Sequence, residues 1–210
     1  CKAGDTVLVE SPTYFGVLQV VEYLGLKVVE APNHTSTGID VDAVRNIARS
    51  TRLAAAVLMP NFNNPTGSVT PDDAKGEIVS ILTAAEVPII EDDIYGDLHY
   101  GNVRPTSLRA YDEAGMVITC GSVSKTIALG YRIGWAVTPQ FHADIARAKF
   151  FSSVACPTLQ QLVLARYYAS GGYDRYLRRV RTTLAANSQS AVDAIIRYFP
   201  PGTRVSRPTG

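Results

Sequence analysis

The stretch LAAAVLMPNFNNPTGSVTPDDAKGEIVSILTAAEVPIIE, residues 53–91, contains a complete strand–helix–strand pattern. Leu53–Met59 is a continuous apolar run of strand length, and the turn-forming segment Pro60–Gly67 follows it. Asp72–Ala85 has the length and spacing of a helix, after which Val87–Glu91 is again short and apolar. Two buried strands joined by a helix predict a parallel pair, because parallel neighbours need a long crossover connection. The stretch therefore indicates an α/β fold.

The start of this helix carries capping signals. We predict Thr70 as the N-cap, because its hydroxyl can accept a hydrogen bond from a free amide of the first turn. Pro71 would then occupy the first helical position, where its missing N–H leaves no bond unmade. Asp72 and Asp73 place negative charge in the first turn, which the helix dipole favours.

The same alternation of short apolar runs and helical patterns continues on both sides. Further strands are predicted at Thr6–Glu10, Lys27–Ala31, Val117–Cys120 and Ile133–Val137. Further helices are predicted at Gly16–Leu24, Val41–Ala48 and Gln140–Ser152. This order predicts a mostly parallel sheet with helices on both faces. Ligands of such sheets bind beyond the carboxyl ends of the strands, so we expect the functional residues there.

The last part of the chain, after Pro157, has no strand pattern. We predict two helices, Thr158–Ser170 and Tyr173–Phe199, with Gly171–Gly172 as the break between them. The second helix carries four arginines within two turns: Arg175, Arg178, Arg179 and Arg181. We interpret this cluster as a solvated face, because arginine is rarely buried unless it is paired.

The composition is that of a globular protein with a substantial core. The 210 residues correspond to about one large domain, and 46% of them are hydrophobic. A formal net charge of +1 gives no electrostatic reason to expect nucleic acid or acidic lipid as a partner of this stretch.

The three cysteines of the chain are dispersed, which argues against a disulfide framework and fits a reducing cytoplasm. Neither the cysteines nor the histidines have metal-ligand spacing, and no apolar run is long enough to span a membrane, so we expect neither a metal nor a membrane partner.

Four motifs fall at or just beyond predicted strand ends. They are SPTYFG with Tyr14, PNFNNPTG at Pro60–Gly67, EDDIYGD at Glu91–Asp97, and GSVSK with Lys125. Each has an explanation without function, since Asn-Pro-Thr-Gly forms turns, carboxylates cap helices, tyrosines pack and lysines lie on surfaces. Only their combination points to chemistry.

Together these residue types suit the binding of pyridoxal phosphate. A neutral Lys125 amine can form an imine with an aldehyde, which is covalent catalysis. A carboxylate such as Asp92 would keep the ring nitrogen protonated, so that the ring can accept electrons. The phosphate needs an arginine and hydroxyl groups, the ring face an aromatic side chain, and the phenolic oxygen neutral donors. These remaining needs can be met by Arg132, Ser122, Tyr14, Asn64 and Tyr95.

The chain resembles the fold type I pyridoxal-phosphate enzymes of the class I/II aminotransferase family across essentially its whole length. The resemblance is carried by SPTY, NNPTG, D-x-x-Y, and S-x-S-K followed by R-x-G, in that order and with spacing similar to the family's. It implies a large domain of the fold type I class that binds pyridoxal 5′-phosphate. It also implies that Lys125, Asp92 and Tyr95 are catalytic. Lys125 would carry the cofactor, and Asp92 would contact the pyridine nitrogen.

The resemblance implies roles for the other motif residues as well. Tyr95 and Asn64 would donate to the phenolic oxygen of the cofactor, and Tyr14 would stack on its ring. The phosphate would be held by Ser122, Ser124 and Arg132. Because family members often hold the Asn-Pro bond of this turn in cis, we predict a cis bond between Asn64 and Pro65.

Longer segments are similar to the aminotransferase-type domain of MocR-subfamily GntR regulators. These segments are ESPTYFG, PNFNNPTG, IEDDIYGDL, GGYDRYLRRVR and FPPGTRVSRPTG. In that subfamily a winged helix-turn-helix domain precedes the aminotransferase fold. One position departs from the pattern, because Leu129 stands before Gly130 where such sequences often have proline.

Three functions are compatible with these motifs. The resemblance favours the effector domain of a transcriptional regulator, in which an amino acid or keto acid is sensed and DNA is bound by a preceding domain rather than by this segment. The alternative is a stand-alone class I/II aminotransferase acting on an amino acid. A scaffold that has lost the cofactor is the third interpretation, which the retained ring contacts argue against. A winged helix upstream of Cys1 would distinguish the first from the second.

Both ends of the chain look cut within a longer protein. We expect residues 1–156 to form a large cofactor-binding domain that is incomplete at its N-terminus. We expect residues 157–210 to close that domain and lead to a small C-terminal domain. The resemblance implies a homodimer, a phosphate-binding loop before Cys1 and a substrate-binding arginine in the small domain. We therefore expect this chain alone to bind the cofactor weakly, if at all.

Overall fold

The computed structural model describes residues 1–210 and contains seven strands and six α-helices. The strands are β1 (Thr6–Ser11), β2 (Lys27–His34), β3 (Gly38–Ile39), β4 (Leu53–Leu58), β5 (Ile89–Asp92), β6 (Val117–Ser122) and β7 (Gly134–Val137). The helices are α1 (Phe15–Tyr23), α2 (Val41–Ser50), α3 (Asp72–Ala84), α4 (His142–Ser153), α5 (Thr158–Ala169) and α6 (Gly172–Tyr198). Three short 3-10 helices lie at Gly96–Leu98, Leu108–Tyr111 and Leu129–Tyr131. Every predicted strand and helix is confirmed, with shifts at the ends.

The strands form one sheet in the order β3-β2-β1-β4-β5-β6-β7. β1 pairs in parallel with β2 and β4, and the parallel ladder continues through β5 to β6. β3 pairs antiparallel to β2. The mostly parallel sheet is therefore confirmed, and the carboxyl ends of β1, β4 and β5 lie at the same edge.

Helices cover both faces of the sheet because its central strands are apolar on both sides. Leu8 of β1 points into a core formed with α2 and α3, which includes Val44 and Ile78. Its neighbours Val7 and Val9 point to the opposite face, where Val17 of α1 packs against them. This alternation follows from the two-residue period of a strand. The predicted helices on both faces are confirmed.

The capping prediction for α3 is wrong in part. The helix begins one residue later than the motif suggests, so Pro71 is the N-cap and supplies no side-chain bond. The hydroxyl of Thr70 instead accepts a hydrogen bond from the backbone N–H of Ile39, at 3.2 Å. Asp72 and Asp73 do occupy the first turn. Thr70 thus links the turn before α3 to the short strand β3, which the sequence did not predict.

The chain divides into two compact units. Unit 1 consists of Cys1–Asp93, Pro105–Cys120 and Ala136–Gln140. Unit 2 consists of Ile94–Arg104, Gly121–Trp135 and Phe141–Gly210. The main sheet core belongs to unit 1, and unit 2 has a separate core of Leu98, Tyr173 and Leu177.

The arginine cluster of α6, in unit 2, is exposed at three of its four positions. Arg181 is the exception to the predicted solvated face, because its Nε donates to the carbonyl oxygen of Asp97 at 2.7 Å. One turn of the helix separates it from Leu177, which is 4% exposed in the core of unit 2. The position of Arg181 on the helix therefore places it at the edge of that core.

None of the helices has the length and apolar character that crossing a membrane requires.

Candidate functional site

Tyr14 lies three residues beyond the carboxyl end of β1, directly before the first turn of α1. Its side chain is partly exposed and packs against Phe15, with ring centroids 4.8 Å apart. The ring also folds back over Gly16, where a built Cβ would lie 2.8 Å from the ring atom Cζ. Gly16 therefore permits a ring position that any side chain would block.

Tyr14 and Asp92 line the same cavity in unit 1, which has a volume of about 430 Å³. Its other walls are mostly apolar and come from α1 and the strands beneath it, among them Val17, Val57 and Ile90. Asp92 is the last residue of β5 and aligns with Cys120 of β6. Burial raises the pKa of the Cys120 thiol, and the negative charge of Asp92 raises it further. The cavity thus brings together two of the predicted site residues.

The three acidic residues at the end of β5 have different environments. Glu91 is fully buried and accepts hydrogen bonds from the N–H of Leu108 at 2.6 Å and from Thr119 Oγ1 at 2.8 Å. Burial raises its pKa above the usual value despite these bonds. Asp93 is buried as well and accepts from Asn61 Nδ2 at 3.3 Å. Asp92, between them, is the one that lines the cavity.

Asn64 lies in a tight turn after β4. The turn is closed by hydrogen bonds between the backbones of Asn63 and Ser68 and between those of Gly67 and Asn63. The bond between Asn64 and Pro65 is cis, as predicted. The backbone N–H of Asn64 points to Met59 Sδ, at 3.1 Å. Its side chain is half-buried, and it does not line the cavity that contains Tyr14.

Glu10, the residue that closes the buried part of β1, was not among the predicted site residues. It is 1% exposed, and its Oε1 accepts from the N–H of Met59 at 2.6 Å. Its Oε2 accepts from Asn33 Nδ2 at 3.1 Å and also from Asn63 Nδ2. Burial raises the pKa of Glu10 to about 7; the three hydrogen bonds lower it and the charge of Asp92 raises it. The feature of the sequence that could have identified Glu10 is its position as a carboxylate at the end of an otherwise apolar strand.

In unit 2, the structure brings Lys125 and Tyr95 together. The Nζ of Lys125 lies 5.8 Å from the centroid of the Tyr95 ring, within range of a cation–π contact. Lys125 is exposed, which leaves its amine accessible to a small molecule. Tyr95 is half-buried and packs on the core formed by Leu98, Tyr173 and Leu177.

Ser122 and Ser124 also lie together. Their hydroxyl oxygens are 2.9 Å apart, and the N–H of Ser124 donates to Ser122 Oγ at 3.1 Å. The Ser122 hydroxyl is also 3.1 Å from the carbonyl oxygen of Ile133, which accepts from the N–H of Val123. These bonds hold the segment before Lys125 against the segment that follows Arg132.

Arg132 contacts a backbone carbonyl oxygen rather than either serine. It lies at the end of the 3-10 helix Leu129–Tyr131 with a left-handed backbone, φ 53°, which is uncommon for a residue other than glycine. Its guanidinium is exposed and contacts the carbonyl oxygen of Leu129 at 3.5 Å. The predicted phosphate contact of Arg132 thus remains a prediction.

The segment after Tyr95 is fixed by a cluster of polar residues around Asp97. Tyr173 Oη donates to Asp97 Oδ2 at 2.8 Å, and Arg104 Nε donates to Asp97 Oδ1 at 2.8 Å. Burial alone would raise the pKa of Asp97, but the bonds from Arg104 and Tyr173 outweigh it and lower the pKa. Burial, and then the bond to Asp97, raises the pKa of Tyr173 well above its usual value. These bonds tie the start of α6 to the 3-10 helix Gly96–Leu98.

Comparison with known proteins identifies relatives of the whole chain. A family model described as aminotransferase class I and II matches residues 1–205. An uncharacterized HTH-type transcriptional regulator of Escherichia coli (strain K12), YjiR, is 36% identical over 100% of this chain and 45% of its own length. The 2-aminoadipate transaminase of Thermus thermophilus is 31% identical over 99% of this chain and 53% of its own length.

Solved structures agree with these matches. The kynurenine aminotransferase of Pyrococcus horikoshii superposes with a TM-score of 0.94 at 26% identity, over 100% of this chain and 53% of that protein. The α-aminoadipate aminotransferase LysN of Thermus thermophilus superposes with a TM-score of 0.92 at 30% identity, over 100% of this chain and 54% of that protein. The chain therefore spans about half the length of the relatives that it matches.

Proposed function

The chain belongs to the class I and II aminotransferase family, and on that premise we propose that it is the pyridoxal-phosphate-binding effector domain of a MocR-type transcriptional regulator of the GntR family. The observation that carries this proposal is the 36% identity to a transcriptional regulator over 100% of the chain. In such a protein a separate domain would bind DNA. This domain would respond to the cofactor and to an amino acid or keto acid.

The residues of unit 1 fit the ring of pyridoxal phosphate. The cavity has apolar walls, the aromatic ring of Tyr14 and the carboxylate of Asp92. A flat aromatic ring with one basic nitrogen needs these three features, because the ring face favours apolar and aromatic neighbours and the protonated nitrogen favours a negative charge. When bound, the cofactor supplies an aldehyde carbon and a ring that withdraws electrons from the substrate.

We assign the ring contacts as follows. Asp92 holds a proton on the ring nitrogen, because a neighbouring carboxylate raises the pKa of that nitrogen. Tyr14 stacks on one face of the ring. Asn64 Nδ2 and Tyr95 Oη donate hydrogen bonds to the phenolic oxygen. The close approach of Lys125 Nζ to the Tyr95 ring supports placing these two residues on the same ligand.

Lys125 has two tasks in this proposal. Its amine would hold the cofactor covalently, and its exposed position leaves the amine open to an aldehyde. The same Nζ would also act as the general base that takes the proton from the α-carbon of the amino acid. The hydroxyl groups of Ser122 and Ser124, together with the Arg132 guanidinium, hold the phosphate.

Borohydride trapping tests the assignment of the cofactor and of Lys125. The full-length protein that contains this chain is incubated with pyridoxal phosphate, reduced and mapped by peptide mass. We expect a single adduct on Lys125, its loss in Lys125→Ala and its retention in Lys149→Ala, which removes another exposed lysine. An adduct elsewhere, or none on Lys125, would refute the assignment.

A stand-alone aminotransferase acting on an amino acid is the alternative. The 31% identity to 2-aminoadipate transaminase favours it, and it would use the same residues. The two functions differ in what precedes Cys1 in the parent gene, where a regulator carries a winged helix-turn-helix segment. For either function we expect a cytoplasmic homodimer.

A further inference from the structure

Glu10 is a fully buried carboxylate to which the proposed function assigns no role. It ends the buried part of β1 and is 1% exposed. Its carboxylate oxygens accept from three N–H donors, which belong to Asn33, Met59 and Asn63. A carboxylate is an acceptor only, so its ionised form matches this set of donors at every contact.

The three donors come from three different segments. Asn33 belongs to β2, Met59 follows β4, and Asn63 lies in the turn that carries Asn64. Glu10 therefore connects the carboxyl ends of three neighbouring strands through one side chain.

Asn64 is held from both sides by residues that Glu10 binds. Its backbone N–H points to the sulfur of Met59, whose own N–H donates to Glu10 Oε1. The residue before it, Asn63, donates its side-chain amide to Glu10 Oε2. Loss of the carboxylate would release both supports of the Asn64 backbone.

The amide groups that face Glu10 are oriented by a second set of bonds. Asn63 Oδ1 accepts from the N–H of Thr66 at 3.2 Å, and Asn33 Oδ1 accepts from Ser68 Oγ at 2.6 Å. With both oxygens engaged in the turn, the two Nδ2 groups point to Glu10. A glutamine at position 10 would direct an NH₂ group at these donors, since it replaces one acceptor oxygen with a donor.

We propose that Glu10 is a positioning residue for the cofactor: by binding Met59 and Asn63 it fixes the backbone of Asn64, and so aims the Asn64 amide at the phenolic oxygen. This inference rests on the proposed function. Glu10 acts only through Asn64 and does not contact the cofactor. It follows that the effect of changing Glu10 depends on the presence of the Asn64 side chain.

A double-mutant cycle on the full-length protein tests this dependence. The variants are Glu10→Gln, Asn64→Ala and their combination, and the control is Glu30→Gln. Glu30 is an exposed carboxylate on the adjacent strand, and it accepts one bond, from Ser11 Oγ at 3.1 Å. The readouts are the apparent Kd for pyridoxal phosphate and the absorption maximum of the bound cofactor.

We expect Glu10→Gln to weaken binding about tenfold, as the loss of bonds to a charged group would, and to shift the absorption maximum. In the Asn64→Ala background the same change should have no further effect on either readout. Glu30→Gln should match the wild type. If Glu10→Gln does not fold, Asn63→Ala removes one donor from the carboxylate and should show the same dependence.

The outcomes separate the two proposals. Wild-type loading on Lys125 with an unchanged Glu10→Gln variant would overturn this inference alone. An equal loss of affinity in the presence and absence of the Asn64 side chain would also overturn it, because Glu10 would then act on the fold in general. A wild-type protein that takes up no cofactor would overturn the proposed function, and this inference with it.

Discussion

At the scale of single residues, Gly16 determines where the Tyr14 ring lies. A Cβ at this position would overlap the ring, so Gly16→Ala must displace it. Alanine also favours the helix over glycine by about 1 kcal/mol, so the variant should fold. We expect the affinity for pyridoxal phosphate to fall up to about tenfold, as the loss of one aromatic contact would cause.

Gly101→Ala is the matched control, because no atom lies within 4 Å of a Cβ built there. Titration of the cofactor by absorbance measures both variants. An unchanged affinity in Gly16→Ala would show that Tyr14 does not contact the ring of the cofactor.

Glu10 should also make stability depend on pH. Because its pKa rises from 4.5 to about 7 on folding, the folded protein binds its proton more tightly than the unfolded chain does. Protonation of Glu10 therefore stabilises the folded state. This contribution to the unfolding free energy is complete below the unfolded pKa of 4.5, and it is lost as the pH rises through the folded pKa of about 7. Between pH 4 and 8 we therefore expect the wild type to lose about 3 kcal/mol of unfolding free energy relative to Glu10→Gln.

Urea unfolding at several pH values measures this difference, with Glu30→Gln as the exposed control. Parallel pH profiles for the wild type and Glu10→Gln would contradict the expectation. They would mean that Glu10 has the same pKa in the folded and unfolded protein.

The types of residue at the strand ends could be predicted from the sequence, but their supporting contacts could not. Tyr14 and Asp92 follow apolar runs, and parallel strands bring such positions to one edge. Glu10 and Lys75 were missed, although both are buried. Lys75 looks like a surface residue of α3, yet its side chain is 1% exposed, it pairs with Asp72 at 3.3 Å, and burial lowers its pKa. Such burial results from tertiary packing, which local patterns do not contain.

At the scale of elements, the start of α6 is attached to the 3-10 helix Gly96–Leu98 by the Tyr173–Asp97 hydrogen bond. Tyr173→Phe keeps the ring in its core and removes only the donor. We expect a loss of about 1–3 kcal/mol in unfolding free energy, as for a bond to a charged group. Urea unfolding measures it.

Tyr198→Phe is the control for this change, since Tyr198 lies in the same helix and is 73% exposed. Equal stability of Tyr173→Phe and the wild type would mean that Arg104 alone satisfies Asp97. The cofactor affinity should fall less in Tyr173→Phe than in Lys125→Ala. Tyr173 belongs to the buried core against which Tyr95 packs, so we expect it to affect the cofactor only through Tyr95.

Long elements were predictable because their patterns repeat, whereas short ones were not. Six strands and six helices were predicted from apolar runs and helical spacing. β3 has two residues, and the 3-10 helices have three or four, which is too few for a period. β3 depends instead on Gly38, whose φ is 71° and whose built Cβ would lie 2.6 Å from Thr70 Cα. That close approach is a tertiary contact between segments that are distant along the chain.

At the scale of the whole molecule, the regulator proposal predicts that cofactor chemistry and DNA binding can be separated. In the full-length protein, Lys125→Ala should still bind operator DNA, because the proposal assigns DNA binding to a separate domain. Pyridoxal phosphate with an amino acid should change the DNA affinity of the wild type and leave that of Lys125→Ala unchanged. Fluorescence anisotropy with a labelled operator measures both.

Lys149→Ala serves as the control for this experiment and should respond like the wild type. Repeated turnover of amino acids by a full-length protein that binds no DNA would instead support the stand-alone aminotransferase. A response that persists in Lys125→Ala would show that the effect does not pass through the covalent cofactor site.

The bonds to Glu10 also have a consequence for how the chain is made on the ribosome. Glu10 and Asn63 are 53 positions apart, and Met59 is 49 positions from Glu10. At roughly 5–20 residues per second, Glu10 is synthesised about 3–11 s before its last partner. During that interval the carboxylate remains hydrated, and β1 lacks β4, its neighbour on one side. The nascent chain therefore leaves apolar β1 residues open to chaperones until the turn that carries Asn64 has emerged.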